Sequence, residues 1–153
     1  MNGPFIGSLN AAEAWGCVTM ALGILMGLVW SRRTGWGCGG LVTPGLMALY
    51  AASPARVVAA LAMGLLLAPL LSVVARSLAL YGRERTGAAM LLALAAHLAL
   101  LSVVSVPPWL GWVVPGLIAA DAERQGAVMT ACGATSCAIA ASFAAGLMRG
   151  LVG

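Results

Sequence analysis

The pattern Gly-Xaa-Val-Xaa-Pro-Gly-Leu-Xaa-Ala occurs twice in this chain, each time inside apolar sequence. It reads Gly40-Leu41-Val42-Thr43-Pro44-Gly45-Leu46-Met47-Ala48 and again Gly111-Trp112-Val113-Val114-Pro115-Gly116-Leu117-Ile118-Ala119, with the two prolines 71 residues apart in a chain of 153. A proline removes a backbone donor and disfavours helix for the residue before it, but it is well placed in the first turn of a helix. Each copy therefore reads as an extended stretch that ends where a half-helix begins. Two matched halves, each broken at its centre, predict an internally duplicated fold whose broken segments mark the working region.

The solvent of that fold is a bilayer. Hydrophobic residues make up 62% of the chain and charged residues 8%, more apolar surface than a water-soluble domain of this size can hide. The expectation is one all-α polytopic membrane domain over residues 1–153, with repeat halves at about 13–82 and 83–153. The first twelve residues carry no Lys or Arg, so the first apolar run is expected to be a retained span rather than a cleaved signal. No lipidation signal is found.

The apolar runs are Ala14–Trp30, Gly37–Ala52 broken at Pro44-Gly45, Val57–Ala75 containing Pro69, Gly87–Val106, Trp109–Ala120 broken at Pro115-Gly116, and Ala127–Met148. The long runs have the length needed to cross about 30 Å of hydrocarbon as helix. As pure helix, Trp109–Ala120 reaches only about 18 Å, but partly extended it reaches roughly 30 Å. Such backbone is tolerated at membrane depth only where protein or a cavity shields it, so each Pro-Gly segment either crosses as a broken span or re-enters.

Charge placement favours crossing. Net charge is +4, from eight Arg against four acids with no Lys. If the first Pro-Gly segment crosses, Arg32, Arg33, Arg76, Arg83 and Arg85 share one side and Arg56 takes the other, and the arginine-rich side is cytoplasmic. The second segment only trades Arg124 against Arg149. The repeat implies that both segments behave alike, which predicts an inverted repeat of two three-span halves with Pro-Gly-broken second and fifth segments; five spans remain an alternative. The excess of arginine is a topology signal, since no soluble basic face for nucleic acid can be built here.

Half-helix N-termini expose unpaired N–H groups and a partial positive charge, so Gly40, Pro44, Gly45, Gly111, Pro115 and Gly116 are the candidate residues for contact with an anionic group. Packing of a small kinked bundle is the alternative use of the same residues. Tyr81, Arg83 and Arg85 lie in the longest polar turn, which reads as an interfacial anchor or a docking surface. Asp121, Glu123, Arg124 and Gln125 either line a mouth, cap a helix or form a solvated turn. His97 falls within a predicted span, where it reads equally as a functional group and as a neutral histidine bonded to backbone. Gly23 and Gly27 let helices approach closely. Cys17, Cys38, Cys132 and Cys137 form no C-x-x-C pair and read as small buried hydrophobes. No catalytic constellation and no metal or cofactor site is expected.

The order of motifs resembles the C subunit of bacterial poly-γ-glutamate synthase, the PgsC/CapC family. The resemblance rests on Thr34-Gly35 followed by Gly40-Leu41-Val42-Thr43-Pro44-Gly45, on Leu80-Tyr81-Gly82-Arg83 leading to Ala89-Met90-Leu91, and on Val113-Val114-Pro115-Gly116-Leu117-Ile118-Ala119 leading to Gln125-Gly126. It implies a multi-pass protein of the bacterial cytoplasmic membrane. Its implied partners are a cytoplasmic ATP-dependent amide ligase, which would hold the ATP and magnesium, an extracytoplasmic capsule subunit and the anionic polymer, and self-association is open. Ser31-Arg32-Arg33 before the Thr-Gly, and Asp121 and Glu123 before the Gln-Gly, depart from the family pattern. Taken together, the half-helix N-termini and the resemblance lead to the expectation that Gly40 to Gly45 and Gly111 to Gly116 form the inner face nearest the polymer, with Arg83 and Arg85 near the ligase. A stand-alone inverted-repeat transporter or channel, and a purely structural anchor, are the competing readings.

Overall fold

The computed structural model describes residues 11–79, 81–101 and 113–152. Among them there is no strand. Six helices follow one another: α1 (Ala11–Thr34), α2 (Thr43–Leu49), α3 (Pro54–Ser77), α4 (Arg83–Leu101), α5 (Val114–Gln125) and α6 (Ala127–Val152). Three of them are long and apolar enough to cross a membrane, over Glu13–Thr34, Pro54–Ser77 and Ala127–Leu151. α4 opens with Arg83-Glu84-Arg85, and its predicted continuation to Val106 lies outside the described residues.

Side chains are sorted by size. The fully buried positions are dominated by alanine, including Ala60, Ala89, Ala119, Ala134 and Ala141, while Leu66, Leu91, Phe143, Leu147 and Leu151 face outward. This suits a bundle in lipid, where close backbone packing replaces hydrophobic burial as the force between helices. Pro69 is exposed within α3, and the helix runs through it.

The short helices occupy the middle. α2 buries Thr43, Pro44, Gly45, Met47 and Ala48, and α5 buries Val114, Pro115, Gly116, Ile118, Ala119, Ala120 and Ala122. Met47 and Ile118, which occupy equivalent places in the two repeats, share one core cluster with Ala60, Val114, Ala134 and Ala138. The halves interlock: α2 packs on α1 of its own half and on α6 of the other, and α5 packs on α4 of its own half and on α3 of the other. The α1–α6 contact likewise has its image in α4–α3. The α5–α6 contact is not matched by one of similar extent between α2 and α3: α5 runs beyond the repeat, from Asp121 to Gln125, and turns into α6 at Gly126 alone.

Both helix starts follow one plan. Leu46 N–H donates to Val42 C=O at 3.1 Å, and Leu117 N–H donates to Val113 C=O at 3.1 Å. The extended backbone expected up to the residue before each proline ends sooner than that. Val42 (φ −87°, ψ −24°) and Val113 (φ −96°, ψ −23°) are already helical. A proline in the first turn costs no hydrogen bond, because its missing N–H would have been unpaired there anyway, so the helix can begin ahead of it.

Helix α1 measures how far the first broken segment travels. Gly27 faces Cys38 and Leu41, Gly23 faces Gly45, and Gly16 faces Leu49. From Thr34 back to Gly16 is about 27 Å at 1.5 Å per residue, so loop and α2 together run the length of the bundle instead of turning back. Gly23 and Gly27 thus serve packing within the chain. α5 runs antiparallel to α4 in the same way, with Gly116 against Ala89 and Met90 and Glu123 paired with Arg85.

These paths gather Arg32, Arg33, Arg76, Arg83, Arg85 and Arg124 at one end of the bundle. At the other end Arg56 lies over the Tyr50 ring at 5.9 Å and Arg149 over Trp15 at 5.5 Å.

Candidate functional site

At the arginine-rich end the loop between α1 and α2 folds against the last turns of α5. The loop is dense in glycine, Gly35-Trp36-Gly37-Cys38-Gly39-Gly40. Gly39 (φ +77°) and Gly40 (φ +94°) adopt the left-handed region that glycine alone enters freely. Their two N–H groups consequently point the same way, and both donate to Asp121 Oδ2 at 3.0 Å. Successive backbone N–H groups of this kind form a concavity suited to an anion. Here a carboxylate of the chain itself fills it.

Gln125 completes the junction one turn further on. Its Oε1 accepts from Gly37 N–H at 2.6 Å, while its Nε2 donates to Gly37 C=O at 2.5 Å and to Thr130 Oγ1 at 2.9 Å. Thr130 Oγ1 in turn donates to Gly126 C=O at 3.1 Å. Thr43 Oγ1 donates to Gly39 C=O, which ties the loop to the start of α2. Hydrogen bonds with a charged partner are worth roughly 1.5–3 kcal/mol, so the Asp121 contacts give an otherwise irregular loop a defined shape. Cys38 and Cys137 are buried close by, their thiols directed to the Gly40 and Met26 carbonyls, whereas Cys17 and Cys132, also expected to be buried, lie on outward faces of α1 and α6 and are exposed.

A cavity of about 590 Å³ opens beside this junction, lined by Leu28 and Ser31 of α1, by Gly35, Gly37, Cys38, Gly40 and Leu41 of the loop, and by Asp121, Arg124 and Gln125 of α5. That is within the roughly 300–1,000 Å³ typical of small-ligand clefts. Arg124 is exposed and makes no ion pair among the described residues. On the far side of α5, Glu123 is largely buried and pairs with Arg85 of α4. Among the described residues no three His, Cys, Asp or Glu side chains come together as a metal-binding group.

The sequence candidates separate accordingly. Gly40, Asp121, Arg124 and Gln125 converge on the cavity. Pro44 and Gly45 are buried against α1, and Pro115 and Gly116 are buried, with Gly116 against α4. Gly111 and the Arg83 side chain lie outside the described residues. Tyr81 is exposed and lines a smaller hollow of about 240 Å³ with Arg76 and Arg85. His97 is buried within α4. Sequence reasoning missed Gly37, Gly39, Thr43 and Thr130 as parts of the junction. The available signal was the glycine density of the loop, which called for a partner that no local pattern names.

Comparison with known proteins follows the same residues. The family model described as "Capsule biosynthesis CapC" matches residues 22–131, a span that contains both Pro-Gly motifs and the whole cavity lining. The chain is 31% identical over 121 residues to the capsule biosynthesis protein CapC of Bacillus anthracis, covering 74% of this chain and 81% of that protein. It is 28% identical over 121 residues to the PGA biosynthesis protein CapC of Bacillus subtilis (strain 168), with the same coverage of 74% and 81%. No solved structure matches. With well over half of its length matched, broken helices and loop junction included, the chain belongs to the CapC family of capsule biosynthesis proteins.

Proposed function

We propose that the chain is the membrane subunit of a poly-γ-glutamate synthase complex in the bacterial cytoplasmic membrane. It anchors a cytoplasmic ATP-dependent amide ligase, which holds the ATP and magnesium, and helps pass the polymer toward an extracytoplasmic capsule subunit. The observation that carries this reading is the charge asymmetry: six arginines at the end bearing the cavity against two at the other. In a membrane protein that end is cytoplasmic, the side on which ATP is available. The polymer carries a carboxylate on every residue, and transfer of such charge through hydrocarbon unaided is prohibitive.

Kinship to a protein named for PGA biosynthesis supports the polymer. The mirrored pairings of α1 to α6 support an inverted pair of three-span halves. The exposed Tyr81, in the turn that leads to Arg83, and neighbouring Arg76, in the last turn of α3, form the face we assign to the ligase. Arg85 supports that face from within, through Glu123. Pro44, Gly45, Pro115 and Gly116 set the inner frame beside the polymer route rather than its open lining.

Purification of the tagged protein from native membranes in mild detergent tests the reading. A co-purifying ATP-dependent ligase is expected. A protein that repeatedly purifies alone, under conditions that preserve other complexes, would overturn it; uptake by proteoliposomes of the pure chain would then support an independent transporter. Normal polymer formation when an unrelated helix tethers the ligase would reduce the subunit to an anchor.

A further inference from the structure

We propose that the cavity at the Gly37–Gly40 loop is a carboxylate-binding site for γ-linked polyglutamate, with Arg124 as its anchor. The proposal deepens the reading above and rests on it for the identity of the polymer.

Charge accounting around the cavity points to an anion. Asp121, the only acid in its lining, is held at one carboxylate oxygen by two backbone N–H groups at 3.0 Å. Glu123, the other acid on α5, is taken up by Arg85. Glu84, also at this end, lies outside the lining. The cations are not matched in this way. Arg124 lines the cavity, exposed and without an ion pair among the described residues. Arg32 and Arg33 are also exposed and without an ion pair there, and they follow Ser31 of the lining directly in sequence.

Position reinforces charge. The last turn of a helix favours a cation whatever it binds, which accounts for an arginine at this place but not for its lining a cleft. The guanidinium offers a planar fork of donors matched to a carboxylate. The Asp121–Gly39–Gly40 contact holds the opposite wall in place, so Asp121 acts as a positioning residue. It also displays the carboxylate-to-amide geometry that this loop supports.

The test is direct binding by the full chain in phosphatidylcholine nanodiscs, read by fluorescence anisotropy of a labelled γ-linked oligoglutamate. The wild type is expected to bind and to lose affinity as salt rises. Arg124→Gln is expected to weaken binding at least about tenfold, the loss of one charged hydrogen-bonded contact. Arg149→Gln, at the other end, is expected to change it less than twofold. The oligomer with its α-carboxylates converted to amides is expected not to bind.

Unchanged binding by Arg124→Gln, equal weakening by Arg149→Gln, or equal binding of the amidated oligomer would each overturn the site. Should Arg124→Gln fail to fold, Arg124→Lys decides: the charge stays but the fork is lost, and affinity should fall several-fold. Lost discrimination here with the ligase still co-purifying would remove the site and leave the complex. Binding through Arg124 with no ligase attached would keep the site and remove the complex.

Discussion

One methyl group separates glycine from alanine, and at Gly23 the packing leaves no room for it. A Cβ there would lie 2.1 Å from Gly45 Cα and 2.4 Å from Gly45 N, backbone atoms that cannot swing aside. At Gly116 the added carbon would lie 2.7 Å from the Ala89 carbonyl oxygen. The same contact, a broken helix against the helix before it, is thus made through glycine in both halves. Gly146 in α6 has nothing within 4 Å of an added Cβ. Overpacking costs typically 1–3 kcal/mol. Gly23→Ala and Gly116→Ala should each lower the thermal unfolding midpoint in detergent, whereas Gly146→Ala should leave it unchanged or slightly raised by helix propensity. Equal midpoints for all three variants would mean that the α1–α2 and α4–α5 contacts are looser than described.

Among the elements, the broken helices distinguish this bundle from a set of plain spans. Pro44 and Pro115 sit in their first turns, where proline fixes φ without losing a hydrogen bond. Replacing both with alanine should cost little stability, because the Leu46-to-Val42 and Leu117-to-Val113 bonds survive, but it frees the place where loop becomes helix. The expected result is lower polymer output at unchanged protein level in the membrane, measured in cells that depend on the variant. Unchanged output at normal protein level would divorce these motifs from function. The helical runs and the matched Pro-Gly pair were legible in the sequence because hydropathy over 20 residues and a repeated nonapeptide are local signals. The junction was not. Gly39 and Gly40 meet Asp121 across 82 and 81 residues, and no local spacing announces that partnership. Arg85 could be read as a docking charge for the same reason, since its partner Glu123 is 38 residues away.

For the whole molecule, interlocking assigns Arg124 and Arg149 to opposite ends of the bundle, which arginine counting along the chain could not do. Arg124 precedes the last helix and Arg149 lies in its last turn, so by counting alone they could be exchanged between sides by moving one segment. The loop junction draws the end of α5 to the end of α1, and Arg85–Glu123 draws it to the start of α4. Arg149, by contrast, lies over Trp15 near the start of α1. If the bundle spans the bilayer as it is built, single cysteines at these places should sort into two classes in a background where Cys17, Cys38, Cys132 and Cys137 are replaced. Arg32→Cys, Arg76→Cys and Arg124→Cys should resist a membrane-impermeant maleimide in intact cells (spheroplasts of an outer-membrane species) and react once the membrane is opened. Arg56→Cys and Arg149→Cys should react from outside. Labelling of Arg124→Cys from the side opposite to Arg32→Cys would sink the six-span arrangement, and with it the inverted pair. The cavity could not then lie at one membrane face, because its lining comes from both α1 and α5. Labelling of Arg32, Arg76 and Arg124 positions from one face, with Arg56 and Arg149 from the other, would place the loop junction at the surface where a cytoplasmic ligase could hand over its product.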